Sequence, residues 1–156
     1  MQKRHWIPIA GLTLSHTRAH VYRALLEGTA HGVRHNLDAL RAMGAEPKRL
    51  VAVGGGATNR LWLQIVSDVT GQPQIVPERT VGASYGDAFL AGLATGIIPE
   101  IDALSASWVR VAEVIEPREE TRARYDAGHR VYRSLYEHAR DDLHALARLG
   151  SELDLA

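Results

Sequence analysis

Apolar residues recur at steps of three and four between residues 17 and 43, which is the spacing of one face of an amphipathic helix. Gly44 follows this stretch and is a typical residue to end a helix. The sequence therefore predicts one long helix whose apolar face is made by Tyr22, Leu25, Leu26, Ala30, Val33, Leu37 and Leu40.

Two short apolar runs and two further helices follow in alternation. Residues 49–53 and 74–76 have the continuous apolar character of parallel strands that are covered on both faces. A helical pattern begins near Leu61 and ends near Gly71, and a helix rich in small residues spans 83–95. This order of strands and helices predicts an α/β fold, rich in helix, with a small parallel sheet.

The C-terminal third adds one extended segment and one long helix. Residues 108–114 alternate between apolar and polar, which predicts an edge strand or an extended arm. A helical pattern then runs over 119–149. Its tyrosines recur at helical spacing and are expected to form a packing face rather than a ligand site; they are Tyr125, Tyr132 and Tyr136.

The composition is that of an ordinary globular domain. The 156 residues carry 18 basic and 18 acidic side chains, and this balance argues against a nucleic-acid partner. No apolar stretch reaches the length of a membrane span, and we expect neither a membrane contact nor a secretory signal. With 0 cysteines, the chain has no disulfide, thiolate nucleophile or cysteine-based zinc site, and a cytoplasmic location is expected.

We divide 1–156 into a core at 11–96, an arm and terminal helix at 97–149, and a fraying tail at 150–156.

Three consecutive glycines, at 54–56, separate the strand at 49–53 from the helix that starts near Leu61. Glycines at such a junction let the backbone come close to a ligand, and the helix end offers free N–H groups and partial positive charge to a phosphate. A tight turn without a ligand explains the glycines equally well. The turn alone therefore leaves both interpretations open.

The segments on both sides of the glycine turn make the pattern more specific. In their order they resemble the C-terminal part of an FGGY-family carbohydrate kinase of the xylulokinase-like kind, over about residues 11–148. The glycine turn alone is weak evidence for this resemblance, whereas the ordered set of segments is strong. The segments that carry it are 16–28, 51–64, 67–73, 76–78 and 82–92.

The resemblance implies a fold and a set of site residues. The fold would be part of a ribonuclease-H/actin-like domain, in which a glycine turn of the second domain contacts the nucleotide. Gly55 and Gly56 would supply close backbone approach and N–H donors, and Asn59 would offer its amide near the adenosine. These three residues are the candidate cofactor-binding residues.

The resemblance also implies an activity for a longer protein. Such a kinase transfers phosphate from ATP, with Mg²⁺, to a sugar or polyol hydroxyl, and its partners are ATP or ADP and the sugar. In this family the catalytic aspartate precedes the present segment, and the sugar is bound mainly by the N-terminal domain. We therefore assign no catalytic residue and no metal ligand here, and we expect the chain to be a fragment that is inactive alone. The abrupt, extended start at 6–14 agrees with a fragment.

Two other classes of function remain open. One is an NAD(P)-type dinucleotide-binding unit, because Gly54 and Gly56 match the first two glycines of its fingerprint and Glu78 follows the second strand. Asn59 stands where that fingerprint needs its third glycine, and this weakens the interpretation. The other is an interaction domain without a ligand.

Several polar residues are candidates for a site of their own. His16 and His20 are four apart, as are His31 and His35, and such pairs can face a metal, although the sequence places no third ligand. These pairs are left without an assigned role. The remaining candidates are two carboxylates near helix ends. Asp87 is interpreted as structural. Asp68 is expected to contact solvent or a neighbouring loop.

The expected fold leaves apolar surface uncovered. A partial domain of this type has an exposed strand edge beside residues 49–53 and apolar helix faces without a neighbour. The sequence therefore predicts a homo-oligomer, most simply a dimer.

Overall fold

A computed structural model describes residues 9–153, which form four α-helices and a three-stranded sheet. Residues 6–8 of the segment expected to be extended, and residues 154–156 of the expected tail, lie outside the described residues. The terminal helix extends beyond its predicted end at 149. In chain order the elements are α1 (Arg18–Ala42), β1 (Leu50–Val51), α2 (Arg60–Thr70), β2 (Gln74–Pro77), α3 (Ala83–Ala94), β3 (Val111–Ile115) and α4 (Arg122–Leu153).

The helix-rich α/β class is confirmed, but the sheet is mixed rather than parallel. β1 pairs in parallel with β2, with Leu50 opposite Gln74. β3, the predicted edge strand or arm, pairs antiparallel with β2, with Ile115 opposite Gln74. The antiparallel direction arises because the chain returns from α3 to the end of β2, where the Glu78 N–H donates to the Arg110 carbonyl at 2.9 Å.

Helix α2 is the centre of the described structure. It ends at Gly71, whose φ of +65° is a left-handed conformation that favours glycine, and the Gly71 N–H donates to the Ser67 carbonyl at 2.8 Å. One face of α2 packs on the sheet, and the other packs on α1 and α4. The two buried clusters that result are Leu63, Val76 and Ile115, and Ala30, Ile65, Val66, Val69 and Tyr125. Full burial stabilises each large aliphatic side chain in them by about 1.5–3 kcal/mol.

The tyrosine face of α4 packs only in its first half. Tyr125 is 6% exposed, and its hydroxyl donates to Glu27 of α1 at 2.9 Å. The Tyr132 ring stacks on His31 of α1, with the ring centroids 5.5 Å apart. Tyr136 is 51% exposed, so the prediction that it packs is wrong. Within residues 9–153, none of the helices has both the length and the apolar character needed to cross a bilayer.

Two buried histidines join α1 to α4. His31 and His129 are 8% and 5% exposed, and their rings stack with centroids 5.4 Å apart. The His129 Nε2 lies 3.1 Å from an Asp38 carboxylate oxygen, whereas the Nδ1 atoms of both rings have no partner among the described residues. Burial, followed by the charges of His129 and Arg34, lowers the pKa of His31 to about 4, against a partly opposing effect of Glu27. Burial also lowers the pKa of His129.

Acid should therefore weaken the contact between α1 and α4. Because the pKa of His31 is lower in the folded chain than in the unfolded chain, the unfolded chain binds the proton more readily. The free energy of unfolding should fall as the pH drops from about 6.5 towards the folded pKa of about 4, by about 1–3 kcal/mol. Urea unfolding between pH 7.5 and 4.5 measures this fall.

Two variants serve as controls for the acid effect. His31→Phe keeps a ring in the stack and removes the titrating group, so its stability should depend less on pH. His35→Gln changes an exposed histidine of the same helix and should behave as the wild type. An equal loss of stability with acid in all three proteins would contradict the assignment to His31.

Candidate functional site

The glycine turn lies at the carboxyl end of β1, directly before α2. Gly54 has a φ of +80°, which a residue with a side chain adopts only with strain. Its N–H donates to the Thr80 carbonyl at 2.6 Å, and this bond ties the turn to the loop after β2. Residues Gly55–Thr58 then form a short 3₁₀ turn that leads into α2. The turn is thus held by backbone bonds and leaves its outer surface exposed.

The two candidate glycines have different surroundings. A Cβ built on Gly55 would meet nothing within 4 Å, so this backbone borders open space. A Cβ on Gly56 would lie 3.2 Å from the indole Nε1 of Trp62, closer than most side-chain contacts. Gly56 therefore makes room for Trp62, which is a structural role that the sequence did not suggest.

Asn59 is the N-cap of α2. Its side-chain oxygen accepts a hydrogen bond from the Trp62 N–H at 3.1 Å, and its amide nitrogen lies 3.4 Å from the Tyr22 hydroxyl on α1. Capping satisfies one of the free N–H groups at the helix start. The oxygen of Asn59 therefore caps α2, and one amide N–H donates to Tyr22, which leaves the second amide N–H for a ligand.

A second helix begins at the same edge of the sheet. Because β1 and β2 are parallel, the starts of α2 and α3 both follow carboxyl ends of strands. Gly82, the N-cap of α3, provides no side-chain hydrogen bond, and Ala83 and Ser84 in the first turn are exposed. Free N–H groups of a helix start attract anions. The edge therefore presents N–H groups from the glycine turn and from α3.

This edge is an open surface rather than a closed pocket. A cavity of about 230 Å³ lies beside the loop after β2, but none of its lining residues belongs to the glycine turn. Its lining residues are Glu78, Arg79, Tyr85, Ser107, Trp108 and Arg110. The glycine turn can therefore form only one wall of a ligand cleft.

The two carboxylates singled out by the sequence lie in contrasting places. Asp87 is exposed on α3, and no acidic residue lies in the first turn of that helix, so a helix-end role for it finds no support. The Asp68 side chain is 0% exposed, so of the two expected contacts the one to solvent is wrong and the one to a neighbouring loop is confirmed. Its carboxylate accepts from the Nη2 of Arg118 at 2.6 Å and from the Arg118 backbone N–H at 2.9 Å. The hydrogen bond to Asp68 is the first cause of the raised pKa of Arg118.

The histidine pairs do not form metal sites. His16 and His20 have ring centroids 5.6 Å apart, but their Nδ1 atoms accept hydrogen bonds from the backbone N–H groups of Thr13 and Thr17. His31 is buried while His35 is exposed, so that pair does not share a surface. In the part of the chain that the structure describes, no three histidine, aspartate or glutamate side chains are close enough to hold a metal ion.

Comparisons with known proteins identify relatives of this chain. The model of the FGGY family of carbohydrate kinases, C-terminal domain, matches residues 4–95. The chain is 27% identical over 133 residues to the xylulose kinase of Bacillus subtilis, covering 85% of this chain and 27% of that protein. It is 42% identical over 113 residues to the glycerol kinase of Citrifermentans bemidjiense, covering 67% of this chain and 22% of that protein. The chain thus spans about a quarter of the length of these relatives.

Solved structures of a xylulose kinase and a glycerol kinase also resemble this chain. The xylulose kinase from Rhodospirillum rubrum superimposes with a TM-score of 0.74 at 35% identity, covering 86% of this chain and 28% of that one. The Plasmodium falciparum glycerol kinase with ADP superimposes with a TM-score of 0.66 at 28% identity, covering 87% of this chain and 26% of that one. This likeness over 86–87% of the chain confirms the actin-like fold expected from the sequence.

The capping role of Asn59 can be tested by two substitutions. Asn59→Ala removes the side-chain acceptor and should lower the free energy of unfolding by about 1 kcal/mol. Asn59→Asp keeps an acceptor at the same place and adds a charge that the helix start favours, so its stability should match the wild type. Urea unfolding at pH 7.5 measures both, and equal stability of all three proteins would refute the cap.

Proposed function

The chain belongs to the FGGY family of carbohydrate kinases, and we propose that it is the nucleotide-binding wall of an ATP-dependent kinase that phosphorylates a sugar or polyol hydroxyl. The names of its relatives, xylulose kinase and glycerol kinase, support this substrate class. We further propose that the parent kinase acts in the cytoplasm. Because the relatives are longer than this chain, we propose that a second part of the parent kinase binds the sugar.

The open space at Gly55 is the observation that carries the proposal. A Cβ built on Gly55 would meet nothing within 4 Å, and this exposed turn lies at the carboxyl edge of parallel strands, so a ribose or phosphate has room to approach the backbone. The N–H groups at the start of α3 and those of Gly55 and Gly56, together with the helix dipole, would favour an anionic ligand. The turn itself contains no lysine or arginine, so its backbone N–H groups would make the contacts to the nucleotide.

Each candidate residue has a distinct part in nucleotide binding. Gly55 gives the nucleotide access to the backbone, and Gly56 allows the turn to pack on Trp62. Asn59 would donate from its amide nitrogen towards the adenosine, since its oxygen caps α2. Bound ATP would supply the phosphoryl group, and Mg²⁺ would neutralise its phosphates.

The chain alone should have no kinase activity. Phosphoryl transfer needs a base beside the acceptor hydroxyl and a site that excludes water, and the turn forms one open wall. With ATP, Mg²⁺ and either D-xylulose or glycerol, the chain should release ADP no faster than buffer does. Turnover by the chain alone would contradict the proposal.

Gly55→Val tests the nucleotide contact directly. A β-branched side chain would fill the open space that the ligand is proposed to enter, while the fold has room for it. In the full-length kinase that carries this segment, the KM for ATP should rise at least about tenfold, equivalent to about 1.4 kcal/mol, while the KM for the sugar stays the same. Steady-state kinetics with each substrate varied separately measures this.

Companion variants separate binding from stability. Gly28→Ala adds a methyl group at another open glycine, on α1, and should leave both KM values unchanged. Asn59→Asp keeps the cap but replaces the amide donor, so it should raise the KM for ATP without loss of stability. If Gly55→Val lowers the melting temperature and leaves the KM for ATP unchanged, the glycine is only a turn residue.

Tighter binding of NAD⁺ than of ADP would favour the dinucleotide-binding alternative.

A further inference from the structure

The cavity of about 230 Å³ beside the end of β2 has no part in the nucleotide proposal. Three segments form its walls: the loop after β2, the first turn of α3 and the residues before β3. The Glu78 N–H donates to the Arg110 carbonyl at 2.9 Å, so the first and third of these segments lie side by side. This arginine cavity is lined by Glu78, Arg79, Tyr85, Ser107, Trp108 and Arg110.

Packed aromatic rings form one wall of the arginine cavity. The rings of Tyr85 and Trp108 have centroids 4.9 Å apart, and the Tyr85 hydroxyl donates to the Trp108 carbonyl at 3.2 Å. Trp108 also packs edge to face on the buried Phe89, with centroids 5.3 Å apart. The rings of Tyr85 and Trp108 are therefore held in place, and both residues are only half-buried, so ring surface is left for a ligand.

The two arginines of the cavity have no carboxylate partner. The Arg79 guanidinium lies over the Tyr85 ring, 5.7 Å from its centroid. Neither Arg79 nor Arg110 takes part in the ion pairs of the described residues, and Glu78, which lines the same cavity, is also outside them. The cavity therefore presents two guanidinium groups to an anion, beside one carboxylate that can accept hydrogen bonds.

We propose that the arginine cavity binds the phosphate monoester of a small sugar or polyol. The guanidinium forks of Arg79 and Arg110 match the geometry of phosphate oxygens. The hydroxyls of the ligand donate to the Glu78 carboxylate and to the Ser107 hydroxyl, which donates its own proton to the Ala103 carbonyl at 3.1 Å and can still accept. The carbon chain of the ligand lies against the aromatic wall.

Size and charge distinguish this ligand from other anions. Sites for drug-sized ligands measure about 300–1,000 Å³, so a cavity of about 230 Å³ suits a molecule smaller than a nucleotide. A carboxylate has two oxygens and matches one guanidinium fork, whereas a phosphate monoester has three terminal oxygens and can bind two. Inorganic phosphate leaves Glu78 and the aromatic wall without a partner.

A phosphorylated sugar or polyol is also the product of the proposed kinase reaction. The lining of the arginine cavity contains no residue of the glycine turn, so the cavity is a second site, apart from that of the nucleotide. Binding of the product there rests on the proposed function. The preference of the cavity for a phosphate monoester rests on its own residues alone.

Titration of the ¹⁵N-labelled chain with glycerol 3-phosphate, followed by two-dimensional NMR, tests the proposal. The backbone amides of Arg79 and Arg110 and the indole N–H of Trp108 should shift. At constant ionic strength and pH 7.5, the ester should bind at least about tenfold more tightly than glycerol, D-glycerate or inorganic phosphate, because it alone engages both the arginines and the other walls. Equal affinity for inorganic phosphate would leave only a general anion site and overturn the proposal.

Three variants test the assignment to the two arginines. Arg79→Gln and Arg110→Gln should each weaken binding of glycerol 3-phosphate at least about tenfold, because each removes a charged donor to the phosphate. Arg130→Gln removes an exposed arginine of α4 and should bind as the wild type does. Thermal melts show whether the variants are folded. Undiminished binding by folded cavity variants, or an equal loss in Arg130→Gln, would overturn the proposal.

Competition with ADP separates this proposal from the nucleotide proposal. Millimolar ADP should leave the affinity for glycerol 3-phosphate unchanged, because the two sites share no residue. Displacement of glycerol 3-phosphate by ADP would make the cavity part of the nucleotide site and overturn the proposal. Failure of ADP to bind at the glycine turn would contradict the proposed function alone.

Discussion

The ion pair between the buried carboxylate of Asp68 and the half-exposed Arg118 is the constraint on which the arrangement of the helices depends. A carboxylate with 0% exposure is costly unless donors surround it, and here Gln64, the Arg118 backbone and the Arg118 guanidinium all donate to it. Asp68 lies on α2 and Arg118 lies in the segment between β3 and α4. The pair therefore fixes where the chain leaves the sheet and where α4 starts.

A second polar contact fixes α2 against the sheet. The Gln74 amide of β2 donates to the Leu63 carbonyl and, at 2.8 Å, to the Ser67 hydroxyl, which itself donates to the Ile115 carbonyl of β3. These buried bonds set the position of α2 along its axis. Because the glycine turn and the Asn59 cap form the N-terminus of α2, the same bonds hold the candidate site in place. The site is thus a short, open turn on a rigid helix, which suits backbone recognition of a ligand.

Local patterns predicted much of this structure because local physics determines those parts. Helical periodicity located all four helices, and the glycine run located the strand-to-helix turn. The errors concern contacts between residues far apart in sequence. The burial of Asp68 depends on Arg118, fifty residues later, and the exposure of Tyr136 arises because α4 continues past its contact with α1. The pairing of β3 depends on the path of the loop from α3, which no residue pattern specifies.

Nucleotide binding by backbone N–H groups at the carboxyl edge of β1 and β2 is the central proposal. Titration of ¹⁵N-labelled chain with millimolar ADP, followed by two-dimensional NMR, tests it most directly. We expect the largest shifts for the amides of Gly55, Gly56 and Ser84. Shifts centred on Arg79 and Arg110, which line the separate cavity, or no shifts at all, would contradict it.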